Sequence, residues 1–489
     1  MVIRRCGAQR TVAVAVAATA VLAGCAADPA PSADPVPPTA GTTLVEPDDA
    51  NAPIADAAVP TLGDRDLDVA HYDLELDYTP ETGELDATAT LELAVERPSD
   101  AVVLDLVDLD VTGVRVDGAE APFDHADGKV TIDLGEVVAP GAPMQVAVDY
   151  AGVPDAVQTR ALGGVEVGWQ VRDDGSYVLS EPEGARTWYP VNDHPTDKAT
   201  YDITVTVPEG VTAVANGELV DERADDTTTT THWRMAEPMA PYLATVVTGD
   251  YVGTSNDADG DGVLPQNVWT AGDTDGAEDL LAAQGEAVDL LEGWLGPFPF
   301  STYGGVVLPP DDTEPFFDNV AIETQSLSLY GAESVVGETV VHEAAHQWFG
   351  NSVSVTRWGD DIWWVEGFAR YSEWLWIEDA DGQAAYDRAV ERTYDQLAEA
   401  ERPVAPGDLS VSRLFSAWSY DRGGLTFAAL RAEIGDEDFE AFLRTFVERY
   451  GGANARTEDL IATAEAVSDE DLEPFFDAWV FSDELPPAP

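Results

Sequence analysis

Two hydrophobic periods divide this chain, and the switch between them limits it to a fold built in two parts. From about residue 64 to 254 apolar and polar residues alternate with period two, as in 71–78, 87–93 and 199–207. Alternation of this kind buries one face of a strand and leaves the other polar. It predicts half-buried antiparallel strands and an all-β domain of sandwich or saddle type. From about 263 the period becomes helical, starting with 277–295. A short strand pair is expected around 306–308 and 320–322, followed by further helices that end with 472–479. The expectation is an α+β chain: an N-terminal β domain over 64–255 and a mainly helical domain over 256–489. At 489 residues the chain is too long for a single core.

Ahead of residue 64 the pattern is different. Arg4, Arg5 and Arg10 precede an apolar run from Thr11 to Ala23, the layout of a secretory signal and too short to span a bilayer comfortably. It ends in Leu22-Ala23-Gly24-Cys25, which resembles the bacterial lipobox, whose cysteine becomes the lipidated mature N-terminus. An ordinary signal peptide end is the competing reading. Residues 1–24 are thus expected to be a leader, and 25–63, rich in Pro, Ala and Asp, a disordered tether to the membrane. Cys6 would leave with the leader, so Cys25 alone remains and no disulfide framework forms. The formal charge is −69, with lysine only at Lys129 and Lys198. Such a surface repels nucleic acid, which is excluded as a partner.

One helix is expected to carry the chemistry. In Val340-Val341-His342-Glu343-Ala344-Ala345-His346 the two histidines stand four apart, so both rings leave one face toward one point. Two neutral imidazoles and a carboxylate make a zinc shell, one ion per chain, and Glu343 is placed beside it to take a proton from water. The chain has six histidines, and only these two lie beyond His232. The alternative, two core histidines, would leave Glu343 buried without a partner. Downstream, Glu366 is the candidate third ligand. Glu373, two turns on along the same face, can take the free ring N–H of a ligating histidine, or else is a solvated surface acid.

The stretch from His342 to Glu373 resembles the zinc signature of peptidase family M1, the gluzincin aminopeptidases. The shared elements are His-Glu-x-x-His, then Gln347-Trp348-Phe349-Gly350-Asn351, Trp358, Asp361 and Glu366-Gly367-Phe368-Ala369. The chain departs from the family twice. Nineteen residues (347–365) separate His346 from Glu366, one more than usual, and Val365 replaces Asn. The extra residue is expected in a loop around Gly359-Asp360-Asp361. The resemblance covers roughly 65–485 in two domains, including Glu181-Pro182-Glu183-Gly184-Ala185-Arg186, Ala215-Asn216-Gly217 and Tyr242-Leu243-Ala244. It implies a thermolysin-like catalytic domain without the long helical C-terminal domain of larger members.

What the resemblance implies for the remaining residues is specific. Glu323, in Asn319-Val320-Ala321-Ile322-Glu323, stands where the family binds the substrate's free α-ammonium, and Glu181 would be the second anchor. Tyr420, in a segment resembling Tyr-x-Lys-Gly with Arg422 for Lys, would donate its phenolic proton to the oxyanion. An exposed loop acid and a packing tyrosine are the competing readings of Glu181 and Tyr420. The expected function is release of N-terminal residues from peptides. Endopeptidase, epoxide hydrolase and a non-catalytic surface binder on the same scaffold are the alternatives. The acidic run Asp257–Gly262 lacks the twelfth-position acid of a calcium loop, since Val268 stands there, and reads as an inter-domain turn.

Overall fold

The computed structural model describes residues 54–489 except 173–174, 257–263, 272–274, 311–316 and 401–402. The leader, Cys25, the tether as far as residue 53 and the acidic run 257–262 lie outside the described residues.

The alternating half folds into three sheets. The largest has eight strands in the order Glu218–Ala224, Thr228–Met239, Ala199–Pro208, Leu67–Thr79, Glu84–Val95, Met144–Gly152, Asp110–Val116 and Ala119–Glu120. Every second residue of its central strands points inward: Tyr72, Leu74, Leu76 and Tyr78 in one, Tyr201, Ile203, Val205 and Val207 in the next, all buried. Smaller sheets of three and five strands complete the domain. One pairing departs from the antiparallel expectation. Leu67–Thr79 runs parallel to Ala199–Pro208, with Tyr72 opposite Tyr201 and their rings stacked 4.9 Å apart. Parallel neighbours need a long crossover, and here the intervening chain builds other strands on its way.

The second half holds a five-stranded sheet in the order Tyr251–Ser255, Gln266–Ala271, Tyr303–Val307, Leu327–Tyr330 and Ala321–Ile322. The expected strand pair is thus part of a larger sheet. Tyr251–Ser255, placed by its alternation in the first domain, pairs with Gln266–Ala271 and so joins the sheet of the second half. Eight α-helices follow among the described residues: α1 (Asp275–Leu295), α2 (Gly337–His346), α3 (Trp358–Asp381), α4 (Gln383–Ala398), α5 (Tyr420–Ile434), α6 (Asp436–Tyr450), α7 (Thr457–Ser468) and α8 (Glu473–Trp479). None of the described helices is long and apolar enough to cross a membrane.

Helix α3 is central. Trp358, Ile362, Trp363, Trp364, Phe368 and Tyr371 are all buried, so it is apolar on several faces, as a helix enclosed by others must be. Phe368 stacks on Phe349 at 4.1 Å, which fixes α3 against the end of α2. The start of α3 corrects one expectation. Gly359, Asp360 and Asp361 form its first turn instead of a loop. Asp361 accepts N–H bonds from Thr356 (3.2 Å), Arg357 (3.0 Å) and Thr457 (2.8 Å), which holds the turn closed.

A second correction concerns the tether. Val59 and Leu62 are buried, Gly63 donates to Asp105 Oδ2 at 2.9 Å, and Asp56 Oδ2 accepts the N–H of Trp358 at 2.9 Å. The described end of that segment, 54–63, is therefore packed structure. Asp56 supplies the side-chain cap that Arg357, at the N-cap position, does not. Other ties join the two domains. Lys198 Nζ donates to the carbonyls of Asn351 and Ser352, both at 2.8 Å, and Tyr242 Oη donates to Gly350 O at 2.8 Å.

Candidate active site

Valines 340 and 341 and alanines 344 and 345 bury α2, and His342 and His346 on the same helix meet carboxylates of α3. His342 Nδ1 lies 2.9 Å from Glu373 Oε1, and His346 Nδ1 lies 3.2 Å from the carbonyl of Phe349. Both partners are acceptors, so the neutral form of each ring carries its proton on Nδ1 and presents a lone pair at Nε2. The two Nε2 atoms each stand 3.6 Å from Glu366 Oε2, which has no hydrogen-bond partner. That separation is too long for hydrogen bonds and leaves three electron-pair donors facing one another in a buried site. Donors at zinc distances around a tetrahedral centre stand roughly 3.3–3.6 Å apart. His342, His346 and Glu366 therefore fit zinc, and the nineteen-residue interval does not displace Glu366.

Three further carboxyl groups converge on this point. Glu343, Glu323 and His346 bring ligand atoms within 4.8 Å of one another, and so do Glu181, Glu323 and Glu366. Glu181 is 8 % exposed and Glu323 5 %, so Glu181 is not a loop acid in solvent. Each of Glu181, Glu323 and Glu343 keeps one buried oxygen without a partner. Burial, then mutual repulsion with Glu323, Glu366 and Glu343, pushes the Glu181 carboxyl well above its usual range. Burial also raises Glu323, and raises Glu343 to about 8. Tyr420 opens α5, its ring 6.0 Å from that of His342 and inclined by 20°. Burial and these same carboxylates, Glu366 first, hold its phenol protonated.

Two family models meet this chain: the Peptidase M1 N-terminal domain over residues 69–243 and the Peptidase family M1 domain over 317–479. Together they account for more than half of its residues. The chain belongs to peptidase family M1. Aminopeptidase M1 of Arabidopsis thaliana is 24 % identical over 447 residues, covering 83 % of this chain and 49 % of the relative. Leucyl aminopeptidase of Saccharolobus solfataricus is 24 % identical over 443 residues, covering 85 % of this chain and 53 % of the relative. The chain thus spans about half the length of these curated relatives. Among solved structures, the M1 zinc metallopeptidase of Deinococcus radiodurans superposes with a TM-score of 0.81 at 29 % identity, covering 89 % of this chain and 98 % of the other. A mutant of that protein bound to a Tyr-Ser-Ala substrate matches with a TM-score of 0.80 at 29 % identity.

Within this M1 framework, several residues that sequence reasoning passed over hold the site in shape. Gln347 Nε2 and Asn351 Nδ2, recognised only as parts of a motif, donate to the carbonyl of Glu323 at 3.2 and 2.6 Å. They tie the strand end that carries Glu323 to the helix that carries the histidines. Asn216 donates to Leu243 O at 3.0 Å and Gln325 O at 2.7 Å, which joins the same strand end to the β domain. Arg422 is fully buried and gives its guanidinium to the carbonyls of Val404, Ala478, Trp479, Ser482 and Glu484. It anchors the first turn of α5 to the segment after α8. The sequence signal for Gln347, Asn351 and Asn216 was their place in family motifs, which names a position without naming its partner.

Proposed function

We propose that this protein is a zinc aminopeptidase that releases N-terminal residues from peptides. The observation that carries this reading is the pair Glu181 and Glu323, each buried with an unpartnered oxygen, beside the ligand Glu366. Buried carboxyls held protonated in this way ionise when a cation is supplied between them, and a peptide's α-ammonium supplies one beside Glu366. Bound zinc supplies a Lewis acid that polarises the scissile carbonyl and lowers the pKa of water. With a metal cation beside it Glu343 would ionise, take the proton of the attacking water and return it to the leaving amine, while Tyr420 would donate to the oxygen that gains charge. The Tyr-Ser-Ala substrate of the Deinococcus relative, a short peptide, agrees with this substrate class. The test compares free and N-acetylated peptides, with and without chelator. Free peptides should be cleaved from the N-terminus, chelator should stop the reaction, and Glu323→Ala should narrow the preference for free over acetylated ends. Equal internal cleavage of acetylated peptides by the wild type would overturn the exopeptidase reading in favour of an endopeptidase.

We further propose that the protein is exported and anchored to the cell membrane by lipid on Cys25. The basic residues Arg4, Arg5 and Arg10, the apolar run and Leu22-Ala23-Gly24-Cys25 support this. Cys25→Ala should move the protein from the membrane fraction to the soluble one. An unchanged distribution would sink the anchor.

A further inference from the structure

One cation that the proposed chemistry does not use stands between its two halves. Arg370 lies one turn beyond Glu366 on α3. Its Nη1 donates to Glu373 Oε2, while the other oxygen of that carboxylate takes His342 Nδ1 at 2.9 Å. Its Nε donates to Asp421 Oδ1 at 3.0 Å, and Asp421 follows Tyr420 in the first turn of α5. The stem of Arg370 is held as well. Gly424 on α5 lies so close that a Cβ there would stand 3.1 Å from Arg370 Cγ, and the guanidinium lies 5.7 Å from the ring centre of Trp374.

We propose that Arg370 is a positioning residue that couples the metal ligand His342 to Tyr420, through Glu373 on one side and Asp421 on the other. The part concerning Tyr420 rests on the peptidase reading above. Glu373 and Asp421 are both largely buried, with side chains 14 % and 24 % exposed, and come from different helices. With no cation between them, two carboxylates repel, and the repulsion separates α3 from the first turn of α5. A guanidinium can serve both at once because its donors diverge at fixed angles, whereas an ammonium offers one point charge. With Oε2 fixed by Arg370, the Glu373 carboxylate cannot rotate away from His342, which keeps the imidazole oriented.

The test has two readouts, zinc release to a chelator and kcat on an aminoacyl substrate. Arg370→Gln should speed zinc release by roughly 10–100-fold and lower kcat with little change in KM. Asp421→Asn should lower kcat and speed zinc release less than Arg370→Gln does, because Arg370 keeps its bond to Glu373. In a Tyr420→Phe background, Asp421→Asn should have no further effect on kcat, as expected when one residue acts through the other. Arg370→Lys, which keeps the charge, should restore part of the zinc retention and serves as the variant to read if Arg370→Gln does not fold. Wild-type zinc release in both Arg370 variants would overturn the proposal. Effects of Asp421→Asn and Tyr420→Phe that multiply would overturn it too, by making Asp421 merely structural. If the wild type cleaves no aminoacyl substrate, the peptidase reading fails, while zinc release still decides whether Arg370 holds Glu373.

Discussion

Glu343 has one buried oxygen without a hydrogen-bond partner, and His342 and His346, the candidate zinc ligands, flank it on α2. Glutamine has the same shape but cannot accept a proton, so Glu343→Gln should keep zinc while turnover falls on the order of 10²–10⁴-fold. Glu366→Ala removes a donor outright and should lose tight zinc binding. Metal analysis after dialysis, together with kcat, checks the pair, and zinc retained by Glu366→Ala would mean the third ligand is elsewhere. His342, Glu343 and His346 were legible in the sequence because helical spacing alone aims them at one point. Arg370 and Asp56 were not, because each acts across the fold on a partner that no local period marks. Lys198 stood out only as one of two lysines, and its three carbonyl acceptors belong to segments more than 150 residues away.

At the scale of elements, the site is set by the crossing of α3 and α5. Gly367 and Gly423 face each other there: a Cβ on Gly423 would lie 2.4 Å from Trp363 O and 2.7 Å from Gly367 Cα. Glu366 and Tyr420 lie one and three residues from these glycines, so the closeness of the two backbones brings both side chains to one cleft. Gly423→Ala should force the helices apart and cost about 1–3 kcal/mol, read as a lower urea midpoint, with kcat reduced as Tyr420 withdraws. An unchanged midpoint would show that the crossing can relax. Here the sequence was readable in part. The alternating and helical periods fixed the kind of every large element, but two errors followed from tertiary causes. The first turn of α3 was read as a loop because its cap comes from Asp56, 302 residues earlier. The strand Tyr251–Ser255 was grouped with the first domain although it pairs with Gln266–Ala271, because alternation describes a strand's faces and is silent on its neighbours.

Over the whole molecule, a charge of −69 is carried mostly at the surface, yet several acids lie deep in the β domain. Burial, with the nearby Asp105 adding to it, pushes the Asp193 carboxyl up to about 8. The unfolded chain loses that proton near 4, so between the two values unfolding releases it, and stability falls as pH rises through this window by up to about 1.4 kcal/mol per unit. Melting temperature should decline from pH 5 to 8, and Asp193→Asn should flatten part of that decline; an identical slope in the variant would assign it to other groups. Asp56 and Lys198 carry a different consequence, one that concerns the order in which the chain is made. The N-terminal strands leave the ribosome first, but Asp56 waits for Trp358, and Lys198 waits for Asn351 and then for Ala453. The ties between the two halves are complete only after α6 has been synthesised. A chain interrupted before Ala453 lacks the full set of ties between its two halves.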